Sequence, residues 1–196
     1  MDTYLFIDGE NLLFKVEDAL RESRVPKHKI NINSLDLAAL TTEVLAGYTI
    51  AKKTFYAAKL RMFEETKEKS RILINKQRIL KQNLEKQGFE FLIAGNVRPH
   101  PITINRKPTY VFKEKGVDVK IAVDLVSLSC DKKMDTAILC SSDSDLQPAI
   151  TEIKRRGVKV VYLGFEMSPN KGLTFTCDKT ILFRNSEILK YCPPKR

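Results

Sequence analysis

Apolar positions recur along the chain with two periods. Continuous or β-branched runs at residues 5–8, 49–60, 89–99, 135–145 and 158–165 read as strands. Between the first two, Leu12, Leu13, Val16, Ala19 and Leu20 recur at a helical spacing within 11–24. Residues 33–45, 61–87, 117–130 and 146–157 read as further helices, with Asn33 or Ser34 placed to cap the second and Gly88 and Gly157 to stop the third and fifth. Ile72, Leu73, Ile79, Leu80 and Leu84 give the third its apolar side amid many charges. The tail, 173–189, adds a short helix and an edge strand. Strands alternating with helices imply a parallel sheet joined by right-handed crossovers.

One stretch breaks the rhythm. Pro99, Pro101 and Pro108 argue against a central strand or a helix interior, so an irregular or hairpin-like insertion is expected at about 96–115. No repeat, linker or low-complexity tract marks a second unit, and residues 1–196 read as one domain.

Composition narrows the class. With 43% hydrophobic residues the chain can bury a full core. No apolar run approaches the ~18 residues of a membrane span, and the first residues lack a basic leader. A cytoplasmic protein without a membrane partner is the expectation. Cys130, Cys140, Cys177 and Cys192 form no CxxC pair and read as reduced, mostly buried thiols. His28 and His100 stand in no ligand or triad spacing, and the glycines form neither GxGxxG nor GxxxxGK. Zinc, serine-hydrolase, dehydrogenase and NTPase chemistry are disfavoured accordingly.

Charge points to a partner. Thirty-four Lys and Arg against 24 Asp and Glu give +10, which favours a polyanion. Arg98, Arg106, Lys107, Lys113 and Lys115 cluster in the Pro-containing insertion, interleaved with His100, Tyr110 and Phe112. Cations for phosphates and aromatic faces for unstacked bases would suit a single strand of RNA. The bland alternative is a solvated loop whose aromatics pack inward. Lys67, Lys69, Arg71, Lys76, Arg78 and Lys81 on the long helix, beside Glu64, Glu65 and Glu68, read as an ordinary charged face.

The candidate chemistry lies in aspartates at element ends. Asp8 closes the first strand, Asp143 and Asp145 follow the strand that ends in "TAILC", and Asp118 opens a helix. The carboxyl ends of parallel strands share one rim, so these acids can converge there. Singly, each has a structural role open to it, as a turn residue, an N-cap or a partner of the helix dipole. Together they crowd like charges, which protons or a cation must offset, and an all-oxygen site suits Mg²⁺ or Mn²⁺. Asp124, six positions past Asp118, points about 120° away on its helix and ranks second. Asn11 can tie the first loop to a carboxylate or a phosphate, or form an Asx turn.

Four segments in order, "FIDGENL", "KGVDVKIAVDLV", "CSSDSDLQPAI" and "RRGVKVVYLG", resemble the NYN domain of the PIN-like nuclease superfamily. The resemblance implies a three-layer α/β/α sandwich around a central, mainly parallel sheet, and metal-dependent ribonuclease chemistry. It maps the acidic site onto Asp8, Asp118, Asp143 and Asp145, with Asn11 and Ser142 as polar support. Ser142 stands where family members often have Gly, and Leu146 where they often have Phe; both changes leave the acids intact. Asp8 and Asp143 are assigned as direct metal ligands, with Asp118 and Asp145 acting through water, at a second metal or on the nucleophile. The alternative is a non-catalytic RNA-binding or regulatory NYN-domain protein, and either is compatible with a homo-oligomer.

Overall fold

The structure, a computed structural model, describes residues 2–104 and 107–195. Seven strands form one sheet: β1 (Thr3–Asp8), β2 (Ile50–Lys59), β3 (Glu90–Ile104), β4 (Lys107–Lys115), β5 (Thr136–Cys140), β6 (Lys159–Phe165) and β7 (Lys179–Phe183). Their spatial order is β4-β3-β2-β1-β5-β6-β7, parallel throughout except for the antiparallel β3–β4 pair. The chain winds outward from β1 to β4, then returns to lay β5 on the other side of β1. That reversal opens a crevice beyond the carboxyl ends of β1 and β5, the switch point where open α/β sheets hold ligands.

Helices cover both faces. One core packs α1 (Gly9–Glu22), α2 (Leu37–Val44), α3 (Lys67–Lys86) and α7 (Asn185–Tyr191) on Leu5, Ile7, Phe55, Phe91 and Leu163. The other packs α4 (Val117–Cys130), α5 (Gln147–Arg155) and α6 (Lys171–Thr176) on Phe6, Tyr56, Leu139 and Tyr162. Successive β1 residues alternate between these cores, so the run is apolar throughout, as a strand covered on both faces must be. This is the expected three-layer α/β/α architecture. Among the described residues no helix is long and apolar enough to cross a membrane.

Several expectations move in detail. α2 starts later than its apolar pattern, because Asn33 and Ser34 lie in a 3₁₀ turn and the Asp36 carboxylate accepts from the Ala39 N–H as the true cap. α3 starts at Lys67 rather than near Arg61, and Ile72 and Ile79 remain exposed while Leu80 and Leu84 enter the core. The tail carries α7 beyond the expected helix and edge strand. Cys140, Cys177 and Cys192 are buried free thiols, whereas Cys130 is exposed at the end of α4.

The insertion is a regular ribbon. β3 runs on past its last partner in β2, Lys59 opposite Asn96, and from Val97 to Ile104 it pairs with β4 alone. Pro99 and Pro101 sit in this one-sided stretch, and Pro108 in the edge strand, where a missing N–H is tolerated.

Candidate active site

Asp8 owes its place to the pleat. It lies two residues beyond Phe6 and so shares the strand face that looks toward α4. α1 begins immediately, because Gly9 brings the chain against β2: a Cβ there would stand 2.3 Å from the Phe55 ring and 2.5 Å from the Tyr56 carbonyl oxygen. The Asp8 side chain is buried, and both of its oxygens are engaged. Oδ1 accepts from the Asn11 N–H at 3.1 Å, capping α1, and Oδ2 accepts from Ser141 Oγ at 3.2 Å. Burial raises the Asp8 pKa above the ordinary range, with Glu10 and Asp143 adding to the effect and the two hydrogen bonds opposing it.

Beyond β5, Ser141 Oγ accepts from the Asp143 N–H at 3.1 Å, and Asp143 Oδ1 accepts from the Asp145 N–H at 2.9 Å. Ser142 Oγ donates to Asn11 Oδ1 at 2.8 Å, while Asn170 Nδ2 donates to the Ser142 carbonyl at 2.8 Å. The start of α1 and the loops after β5 and β6 are thereby tied together by side-chain amides and hydroxyls. Asn11 and Ser142 form a direct pair.

A cavity of about 480 Å³ opens at this rim, lined by Asp8, Glu114, Lys115, Gly116, Asp118, Val119 and Asp143. Asp118 reaches it from the first turn of α4, whose start is fixed by the close approach of Gly95 to the end of β4. Gly95 has φ +66°, and a Cβ on it would lie 2.3 Å from the Lys115 carbonyl oxygen. Three of the four expected aspartates therefore line one cavity. Asp145 is exposed and lies outside that lining. Asp124 is turned away, accepting from Tyr56 Oη at 2.9 Å and pairing with Lys120.

Glu114, Glu10 and Ser141 are additions that the sequence reading lacks. The Glu114 carboxyl is in hydrogen-bonding contact with that of Glu10; burial first, then Glu10, Asp8 and Asp118, push its pKa up to about 9. Once 107–115 is read as a strand ending at Lys115, Glu114 falls on the same face as Phe112. Ser141 is masked by its neighbour in "CSSD", since adjacent serines give no sign of which one turns inward.

Carboxylates around an open polar cavity are the right donors for a hard divalent cation. Among the described residues, however, no three acidic, histidine or cysteine side chains are gathered tightly enough to hold one ion in common. They line a wall.

Of the expected cations, Arg98, Lys113 and Lys115 are exposed on the ribbon, and Lys115 also borders the cavity. Arg106 lies outside the described residues, as does the Lys107 side chain. Tyr110 and Phe112 are half-buried, and Phe112 packs against the α4-side core. Tyr110 and Phe112 thus turn inward, away from the cations with which the sequence interleaves them, whereas His100 is exposed.

A protein of unknown function from Vibrio parahaemolyticus has a similar crystal structure, with a TM-score of 0.56 at 18% identity, covering 93% of this chain and 92% of that one. At that identity the likeness is one of fold. An uncharacterized protein of Methanocaldococcus jannaschii is 37% identical over 65 residues, which take in 33% of this chain and 27% of that protein. The match thus spans about a quarter of that relative's length. The NYN domain model matches residues 2–184, nearly the whole described structure. With Asp8, Asp118 and Asp143 brought to one cavity at the switch point of its sheet, the chain belongs to the NYN domain family, a nuclease-like family.

Proposed function

We propose that the protein is a metal-dependent ribonuclease that hydrolyses RNA phosphodiester bonds at the cavity between β1, β5 and α4. One observation carries this reading: Asp8, Asp118 and Asp143, from three separate elements, line the same cavity in a chain of a nuclease-like family. Asp8 and Asp143 would hold Mg²⁺ or Mn²⁺ directly, with Asp118 across the cavity and Asp145 acting through water. Such a cation, when bound, supplies a water that is nucleophilic at neutral pH and neutralises charge growing on the phosphoryl oxygens.

The chain's own groups prepare the site. Ser141 and the Asn11 amide fix both oxygens of Asp8, so the carboxylate is oriented before substrate arrives. The Asn11–Ser142 pair and the Asn170 amide hold the flanking loops to each other. Lys115, at the cavity, and Arg98 and Lys113, further along the ribbon, place phosphates. Arg106 and Lys107 continue the same basic stretch of sequence.

Purified protein incubated with end-labelled RNA, with and without Mg²⁺ or Mn²⁺, tests the reading. Cleavage that requires the cation is the expected result. RNA binding without cleavage under any cation would overturn catalysis and leave an RNA-binding or regulatory NYN-domain protein.

A further inference from the structure

Pairing in the β3–β4 ribbon sorts its side chains by face. Residues directly opposite one another in an antiparallel pair share a face, so Asn96 with Lys115, Arg98 with Lys113, and His100 with Val111 stand together. All six are exposed. Val97 with Glu114, Pro99 with Phe112 and Pro101 with Tyr110 occupy the other face, which holds the core contacts of Val97 and Phe112 and delivers Glu114 to the cavity. Near the cavity one face is cationic and exposed, and the other carries the core contacts.

The free face is electrostatically unsatisfied. Arg98 and Lys113 are direct cross-strand neighbours of like charge, an unfavourable arrangement. Among the described residues neither they nor Lys115 has an acidic partner; on the neighbouring long helix Lys67, Arg71 and Lys81 are paired with Glu64, Glu68 and Glu85, and Lys76 and Arg78 are not paired with an acid. A bound polyanion would relieve the ribbon's repulsion. The ribbon is also braced for the purpose: Lys69 Nζ on α3 donates to the Tyr110 carbonyl at 3.0 Å and sits 5.2 Å from the centre of the Phe112 ring.

We propose that the exposed face of the β3–β4 ribbon is a track for an extended single strand of RNA, leading phosphates away from the acid-lined cavity and reading no bases. The proposal rests on the ribonuclease reading and adds the form of its substrate. Lys115 stands at the cavity, and Lys113 with Arg98 lies one same-face step further out, roughly 7 Å along the strand. That step is about one nucleotide of an extended sugar–phosphate backbone. Among the described side chains the cations of this face end at that step, since the next pairs, His100 with Val111 and Ile102 with Thr109, carry no Lys or Arg, so the cationic stretch holds about two nucleotides. With Tyr110 and Phe112 on the packed face, His100 is the one described ring on the track, so charge dominates its affinity.

The test measures binding by fluorescence anisotropy, in chelator, to single-stranded RNAs of one composition lengthened a nucleotide at a time. Affinity should rise with each addition and level off once the cavity and about two further nucleotides are covered. Arg98→Ala and Lys113→Ala should each weaken binding several-fold, equally for different base sequences, and each should lower the salt slope by about 0.7. Both residues are exposed and repel each other, so the variants should melt at or slightly above wild type. A second pair, Arg98→Glu and Lys113→Glu, should weaken binding further in the same order. An unchanged salt slope, affinity independent of length, or duplex RNA bound as tightly as single strands and equally weakened by these changes would overturn the track. Cation-dependent cleavage distinguishes the two readings: without it the ribonuclease reading fails although the length and salt effects persist, and with it but without those effects the track alone fails.

Discussion

The acid-lined cavity and the basic ribbon meet at Lys115, yet they are built in opposite ways. The cavity is assembled from distant parts of the chain: Ser141 hydrogen-bonds Asp8 across 133 positions, and α4 and β4 add Asp118 and Glu114. Asp8 is buried, Glu114, Asp118 and Asp143 are half-buried, and Ser141 links Asp8 to Asp143. The ribbon is made by local pairing, and among the described residues its cations Arg98, Lys113 and Lys115 stand in solvent without acidic partners. Interlocked, desolvated charge makes a precise but costly site, whereas exposed charge gives a tolerant surface that any phosphate can use. The two should therefore fail differently: changes at the cavity should remove turnover or alter stability, and changes on the ribbon should alter binding and its salt dependence.

The largest difference is expected from Asp143→Asn set against Lys113→Ala. Loss of Asp143 should lower turnover by more than about 100-fold, since even groups that merely support metal ligands are worth roughly 10–100-fold. RNA affinity should stay within a few-fold, because the ribbon is untouched. Lys113→Ala should show the reverse, with weaker binding and nearly full turnover at saturating RNA. Single-turnover cleavage and anisotropy on the same preparations make the comparison. Full activity in Asp143→Asn would remove that residue from the site.

Second in size is an effect on the joint between the two regions. Gly95→Ala would combine a left-handed backbone, φ +66°, with a Cβ 2.3 Å from the Lys115 carbonyl oxygen. The clash is with backbone and cannot be relieved by turning a side chain. A loss of about 2–4 kcal/mol in denaturant unfolding is expected. Because β4 ends there and α4 begins just after it, turnover and binding should fall together, unlike in either variant above.

What the sequence made legible follows from how far each feature reaches along the chain. Strand and helix identities were readable because β1, β5 and β6 are apolar runs and α1 and α5 have helical periods, both local properties. Asp8, Asp118 and Asp143 could be placed at element ends, and the parallel topology then carries them to one rim. Glu114 was not legible, because its direction depends on whether 107–115 is a strand, and the prolines argued only against a central one. The same uncertainty hid the sorting of Tyr110 and Phe112 from Lys113. The α2 cap was missed because Asp36 competes with Asn33 and Ser34 nearby, and only packing decides among them.

A smaller effect links the cavity's crowding to pH. In the folded state Glu114 is held protonated up to about 9, through burial and the neighbouring Glu10, Asp8 and Asp118, while the unfolded chain releases that proton near 4.3. The folded state thus binds more protons between these values, and stability falls as pH rises through the window. The Glu114 contribution is fully present below the unfolded value and gone above about 9. Asp8, also shifted upward, adds to the same trend. Glu114→Gln should therefore melt a few degrees higher than wild type at neutral pH, with the gap widening toward pH 9 and then constant. Mg²⁺ or Mn²⁺ should raise the wild-type melting temperature by binding the folded state. Melting curves across pH, with and without cation, would read both effects; a gap independent of pH would mean that Glu114 carries no perturbed proton.

The smallest effect tests where the cavity ends. Tyr56 is buried and donates through its hydroxyl to Asp124, which also pairs with Lys120 on the adjacent turn. Asp124 lies outside the cavity lining, so the contact fastens α4 to β2. Tyr56→Phe deletes one hydrogen bond to a carboxylate that keeps its lysine, and a loss of about 1–2 kcal/mol is expected. Cleavage at a temperature where both proteins are folded should stay within a few-fold of wild type. If turnover instead collapsed with stability intact, Asp124 would belong with Asp118 among the site's acids, and the boundary between scaffold and site on α4 would shift by six residues.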